Sequence, residues 1–174
     1  MQRTKKSAKK RRWLIWGMEL LLIVALVFAL RAWQQRTLVE GEAPDFAAVS
    51  LAGDDVALDA YRGEAFMLYF WASWCAMCEL GQGGIDKVAA QWPVVTVAYS
   101  SGQAEEVERY MARRGTEHWV TLIDNEGELA DQYGVIGVPT SFIIDGDGRI
   151  RFREVGLSSS WGLRLRLWWS EHFN

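Results

Sequence analysis

Sulfur and imidazole are scarce in this chain: its 174 residues include two cysteines and two histidines. A closed zinc site takes about four Cys or His ligands, and there is no second cysteine pair to complete one. His118 and His172 lie far in sequence from the cysteines and from each other, which suits surface or capping roles better than metal ligation. A c-type haem attachment needs histidine directly after a Cys-x-x-Cys, and Glu79 stands there instead. Basic residues are also few once the N-terminus is set aside. Residues 1–36 hold nine of the 19 Lys/Arg but one of the 22 Asp/Glu, which leaves ten against 21 in residues 37–174, a net charge near −11. That excess argues against nucleic acid and against electrostatic attraction to anionic membrane surfaces. Internal repeats and low-complexity tracts are absent too, and 138 residues suffice for one hydrophobic core.

The N-terminus has a different character. Residues 1–12 carry seven Lys/Arg and no acid, and Leu14 to Leu30 is then apolar apart from Glu19. As a helix, residues 13–33 reach about 30 Å, the thickness of a hydrocarbon core. Trp13, Trp16 and Trp33 stand where interfacial anchors belong, and Arg31 can snorkel. Glu19 lies near one end of the span, where a carboxylate is tolerated. The basic residues keep the N-terminus cytoplasmic and put the remainder outside. The competing reading is a cleaved signal peptide, for which Val27 and Ala29 offer a weak cleavage site with Arg31 close behind. The expected organisation is a cytoplasmic basic tail over 1–12, a transmembrane helix over 13–33, a polar linker over 34–42 and one domain over 43–174.

Within that domain, Phe46–Ser50 and Val56–Leu58 read as short strands around a Gly53-Asp54-Asp55 turn. Ala65 to Trp71 is a continuous apolar run, as in a strand buried on both faces. A helix starts near Cys75 and runs towards Gln91, and Val94–Ala98 is the next buried strand. Residues 103–114 form the best-signalled helix: Ser101 to cap it, Glu105 and Glu106 in the first turn, Arg113 and Arg114 in the last, Gly115 beyond. Trp119–Ile123 reads as a strand and Glu126–Tyr133 as a short helix stopped by Gly134. Thr140–Ile144 and Ile150–Val155 flank a hairpin turn at Gly146-Asp147-Gly148. Residues 159–172 alternate like a strand at Leu163, Leu165 and Leu167. Trp161, Leu165, Trp168 and His172 repeat like a helix, and the serines before them favour helix. This order predicts an α/β fold: a mixed sheet with helices on both faces.

Both cysteines fall in one motif, Trp74-Cys75-Ala76-Met77-Cys78, directly after the buried strand. At the start of a helix, positions i and i+3 share a face about 5–6 Å apart, within disulfide reach. The ring is so short that it stabilises little, so the spacing favours a bond that opens and closes over a structural staple. Cys75, nearer the helix N-terminus, is the expected attacking thiolate, and Cys78, one turn in, the resolving thiol. Copper(I) binding by Cys75, Met77 and Cys78 is the rival chemistry, since all three are soft donors. Pro139 is the second feature, in Gly137-Val138-Pro139-Thr140 just ahead of a strand. An ordinary loop proline there is trans.

Together these two motifs resemble the thioredoxin superfamily, in which a Trp-Cys-x-x-Cys helix start faces a cis-proline loop. Ala43-Pro44-Asp45-Phe46, Tyr61-Arg62-Gly63 and Gly137 to Ile144 are similar to its membrane-anchored branch, related to TlpA and ResA. The tail, Ser160-Trp161-Gly162-Leu163-Arg164-Leu165-Arg166-Leu167-Trp168-Trp169, resembles the ending of the suppressor-of-copper-sensitivity D proteins. The resemblance implies a thioredoxin-like fold with an N-terminal β-hairpin extension. It also implies a single-pass protein of the bacterial inner membrane whose C-terminal domain is a periplasmic protein-disulfide oxidoreductase. Its implied site is Cys75 as nucleophile and Cys78 as resolver, a redox-active pair, with a cis Pro139 against the disulfide. Val138 would be free to pair with a peptide, and Trp74 would shape the surface. No metal and no cofactor are implied. The implied partners are thiol- or disulfide-containing periplasmic proteins, a transmembrane electron donor and the membrane itself, with a link to copper tolerance. Two departures stand out. Tyr69 occupies the place of a buried acid, and Gly81 that of a glutamate, so Glu79, Tyr69 or water is left to move protons at Cys78.

Overall fold

The computed structural model describes residues 3–173, with side chains described for Trp13 and from Ile15 onward. The chain divides into two units, residues 1–36 and 37–174. In the first, α1 runs from Arg3 to Gln35. Its segment Ile15–Gln35 has a mean hydropathy of 2.1, and it is long and apolar enough to cross a membrane.

The second unit is built on β1 (Gly41–Glu42), β4 (Phe66–Trp71), β5 (Val94–Tyr99), β6 (Val120–Asp124), β7 (Thr140–Ile144) and β8 (Arg149–Val155). These form one mixed sheet in the order β1-β8-β7-β4-β5-β6. β4, β5 and β6 run parallel, and β7 and β8 pair antiparallel beside β4. A separate hairpin joins β2 (Ala47–Val49) to β3 (Asp55–Ala57), followed by a 3-10 turn over Leu58–Tyr61. The helices are α2 (Ala76–Ala89), α3 (Ala104–Arg114), α4 (Glu128–Gln132) and α5 (Ser160–His172). The mixed sheet with helices is the α/β arrangement expected from the element order, and it is the thioredoxin-like fold that the resemblance implied.

β4 explains the two cores. Its residues are all buried, and successive side chains leave opposite faces of the sheet. Met67, Tyr69 and Trp71 join α2, α3 and α5 in one apolar cluster that includes both cysteines. Phe66, Leu68 and Phe70 join Ala130 of α4, Tyr133 and the N-terminal hairpin in the other.

Three local expectations change. Of residues 34–42, read as a polar linker, Leu38 is buried and Gly41–Glu42 is an edge strand on β8. Arg153 holds this stretch, donating to the Leu38 carbonyl at 2.9 Å and pairing with Glu40. Ser101 does not cap α3. Gln103 does, in a reciprocal pairing with Glu106, because Ser101 is turned towards the active-site loop. In α5 the inward residues are Leu163, Leu167 and Ser170, so the Trp161, Leu165, Trp168 and His172 repeat marks the outward face. Ser159 caps that helix, its hydroxyl accepting from the Gly162 N–H.

Burial raises the Tyr69 and Tyr133 phenols well above their ordinary 10.0; Tyr110 adds to the rise for Tyr69 and Asp45 for Tyr133. Folded phenols therefore keep protons that unfolded ones release, and their stabilisation is complete below about pH 10 and lost as the pH climbs beyond it. Urea unfolding followed between about pH 9 and 11 should show stability falling with pH. The Tyr69→Phe, Tyr133→Phe double variant should show a shallower fall; an identical slope would contradict the assignment.

Candidate active site

The C-terminal end of β4 delivers the cysteines. Trp71 ends the strand, Ala72 to Trp74 turn, and Cys75 is the N-cap of α2. Cys75 and Cys78 form a disulfide with Cα atoms 5.3 Å apart. The Cys75 sulfur accepts the Cys78 N–H at 3.1 Å, one of the donors that a helix start leaves unpaired. A thiolate at Cys75 would gain from that donor and from the helix dipole. Cys75 is 8 % exposed and Cys78 2 %, so the outer sulfur is the one within reach of a partner.

Antiparallel pairing brings the second motif to the same place. Thr140 at the start of β7 lies opposite Phe70 near the end of β4, which puts the preceding Val138-Pro139 beside α2. The Val138–Pro139 bond is cis. The Val138 carbonyl oxygen lies 3.6 Å from Cys75 Sγ, where it can accept from the Cys75 thiol once the disulfide opens. Gly137 contributes its carbonyl to the Thr140 hydroxyl at 2.7 Å, and Gly156 N–H donates to the Pro139 carbonyl at 2.8 Å, fixing the loop at both ends.

Trp74 is largely exposed, but its indole N–H donates to the Ser100 carbonyl at 2.9 Å. Ser101 accepts from the Ser73 N–H and donates to the Tyr99 carbonyl, both at 3.0 Å. The sequence reading missed these two serines as supports of the loop. Their signal was faint: two small polar residues directly after the apolar run of β5. Ser101→Ala should cost about 1 kcal/mol and speed amide exchange at Ser73. Unchanged exchange at Ser73 would show that the loop holds without it.

The groups left to serve Cys78 are now fewer. Glu79 points away and pairs with Arg114 at 2.5 Å. The buried carboxylates among the described residues, Asp124 and Asp145, bind the N–H groups of α4 and of the β7–β8 turn. Tyr69 is buried in the cysteine cluster, and its hydroxyl lies 3.7 Å from where a Cβ on Gly81 would stand. Beside it, Tyr69, Gly81, Pro139, Ser141 and Leu157 line a gap of about 10 Å³, at the lower limit for one water.

The two histidines are occupied elsewhere. His118 Nε2 lies 3.3 Å from Asp86, and His172 Nδ1 lies 2.9 Å from the Trp168 carbonyl. Among the described residues no three His, Cys, Asp or Glu gather as a metal site.

Comparisons with known proteins point to thiol–disulfide chemistry. The AhpC/TSA family profile matches residues 39–153. A thioredoxin-like protein of Haemophilus influenzae is 28 % identical over 159 residues, 90 % of this chain and 94 % of that protein. The thiol-disulfide oxidoreductase ResA of Geobacillus thermodenitrificans is 31 % identical over 140 residues, 76 % of this chain and 80 % of that one. A Chlorobium tepidum structure designated thiol:disulfide interchange protein DsbE superposes with a TM-score of 0.65 at 30 % identity. That match covers 77 % of this chain and 99 % of the other.

Proposed function

Because the chain belongs to the AhpC/TSA family and is a thiol–disulfide oxidoreductase of the DsbE/ResA type, we propose that it is a membrane-tethered dithiol relay facing the periplasm. Cys75 is its nucleophile and Cys78 its resolving thiol. The observation that carries the assignment is the Cys75 sulfur at the α2 N-cap, accepting the Cys78 N–H.

In the reducing direction the Cys75 thiolate attacks a partner disulfide. A mixed disulfide forms and one partner sulfur leaves as thiolate. Cys78 then loses its proton and attacks Cys75 Sγ, closing the enzyme disulfide and releasing the second partner thiol. Two electrons pass to the partner, and the reverse sequence oxidises it. Val138 offers backbone to an extended partner segment, Pro139 packs beside the sulfurs, and Trp74 borders the approach.

With Glu79 committed to Arg114, Tyr69, buried in the same cluster as Cys78, or a water is left to relay the Cys78 proton. Tyr69→Phe should slow resolution of the mixed disulfide about tenfold and shift its pH profile, with attack by Cys75 unchanged. An unaltered profile would assign the proton to water alone.

The anchor reading makes α1 a single inner-membrane span, with residues 1–12 cytoplasmic, 13–33 spanning and 43–174 the catalytic domain. Tethering raises the effective concentration of membrane-bound partners, a transmembrane electron donor among them, and favours a dedicated relay over bulk folding catalysis. The narrower placement with the suppressor-of-copper-sensitivity D proteins, and with it a role in copper tolerance, rests on the tryptophan-rich tail. Capture of a mixed disulfide by Cys78→Ser in cells, with copper sensitivity of a strain lacking the protein, supports both parts. Tight copper(I) binding by Cys75, Met77 and Cys78 with no captured partner would replace the relay with a metal carrier.

A further inference from the structure

α5 is apolar on two opposite sides. Leu163, Leu167 and Ser170 face the core, where all three are buried. Trp161, Leu165, Trp168, Trp169 and Phe173 make a second stripe that none of the described elements of the 37–174 unit covers; Trp161 is 72 % exposed and the others close to half. At 100° per residue this stripe centres almost diametrically opposite the inward one. A soluble helix ordinarily presents charge on that side. Four of these five side chains are aromatic, three of them tryptophan, the residue most at home between hydrocarbon and headgroups. Trp168 stacks on His172 and Trp169 on Phe173, so the rings form a continuous sheath.

We propose that this stripe is a second membrane contact, with α5 lying along the interfacial layer of the bilayer that α1 enters. Connectivity favours lipid as the occupant. The compact unit begins at Thr37, two residues after α1 ends at Gln35, so the bilayer is the surface always within reach. The chemistry agrees. The stripe itself carries no carboxylate, and Arg164 beside it can reach headgroup phosphates while its stem stays in the apolar layer. Since residues 37–174 carry an acidic excess, attraction to anionic lipid is not the driving force. The aromatic area is, and docking therefore needs no negative lipid. Leu163 and Leu167 of α5 share one apolar cluster with Cys75, Cys78 and Ile85, so a docked α5 holds the disulfide at a fixed height above the membrane. That placement selects partners whose thiols lie near the bilayer surface.

The inference rests on α1 being an anchor, and the two fail separately. Incorporation of the full chain into zwitterionic phosphatidylcholine nanodiscs tests the anchor, and hydroxyl-radical footprinting of those discs tests the docking. Trp74, 62 % exposed beside the disulfide, is the internal standard. Trp161, Trp168 and Trp169 should be labelled at least about threefold more slowly than Trp74 in discs holding one copy. High salt should leave that protection intact. Labelling of Trp161 at the rate of Trp74 would overturn the proposal, and so would protection confined to discs with two copies, which would make a second chain the occupant. The test needs no substitution, so misfolded variants cannot confuse it.

Discussion

Cys75→Ser is expected to abolish disulfide exchange, lowering insulin reduction by at least about a thousandfold, whereas Cys78→Ser is expected to stall after one bond. The asymmetry follows from position. Cys75 is the more exposed sulfur, at the helix cap, where a backbone N–H and the helix dipole favour the thiolate. A serine there has an oxygen whose proton is not lost at neutral pH, so the first attack fails. Cys78 lies one turn in and almost fully covered, so its loss spares the first attack but removes the only internal thiol able to release the partner. Non-reducing mass analysis of each variant, incubated with a disulfide-bonded peptide, distinguishes them. A covalent adduct should accumulate on Cys78→Ser and be absent from Cys75→Ser. Adduct on Cys75→Ser through Cys78 would reverse the roles.

Gly134→Ala should be among the damaging single substitutions outside the disulfide, costing about 3–5 kcal/mol. Two effects add. Gly134 has a φ of +67°, where a side chain is strained. A Cβ there would also overlap the Thr37 carbonyl oxygen, with the Thr37 carbonyl carbon only 2.8 Å away. Neither backbone can yield cheaply. Val39 N–H donates to the Tyr133 carbonyl at 3.2 Å, and Leu38 is buried beside it, so moving the segment undoes both. Gly115 provides the control. Its φ is +69°, nearly the same, but nothing lies within 4 Å of its Cβ position. Gly115→Ala should therefore cost only about 1–2 kcal/mol of conformational strain. Urea unfolding of both variants measures the difference, and equal losses would show that Thr37 does not pack on Gly134. For a domain whose total stability is about 5–15 kcal/mol, the larger loss is enough to lower its abundance.

The sequence made some of this plain and hid the rest, for physical reasons. The six residues of β4 announced a strand buried on both faces because each one is apolar, and both apolar clusters do use it. α3 was legible from its terminal charges and Gly115, but its true cap lay two residues after Ser101. Ser101 is a good cap by type and was taken up by a loop 28 residues away, which no local rule reveals. α5 read ambiguously because Leu163, Leu165 and Leu167 alternate. Leu163 and Leu167 are core residues and Leu165 belongs to the outward stripe, so two apolar faces of one helix had merged into a strand-like pattern. β1 could not be read at all: two residues, Gly41 and Glu42, become a strand only because β8 offers an edge. At the candidate site, the residue types pointed to the cysteines, while the roles of Trp74, Val138 and Pro139 came from the family resemblance. The long-range pairing of β4 with β7 that brings the two motifs together is a property of the sheet.

The most direct test is a redox titration of the full chain. It would be equilibrated in thiol–disulfide buffers of graded potential, alkylated, and resolved by mass into species with no, one or two free thiols. If Cys75 and Cys78 form a working dithiol, the disulfide and dithiol forms should interconvert reversibly as one two-electron step, with the singly alkylated species negligible throughout. A disulfide that resists dithiothreitol in the native state, or that opens only on unfolding, would make the bond a structural link and contradict the relay.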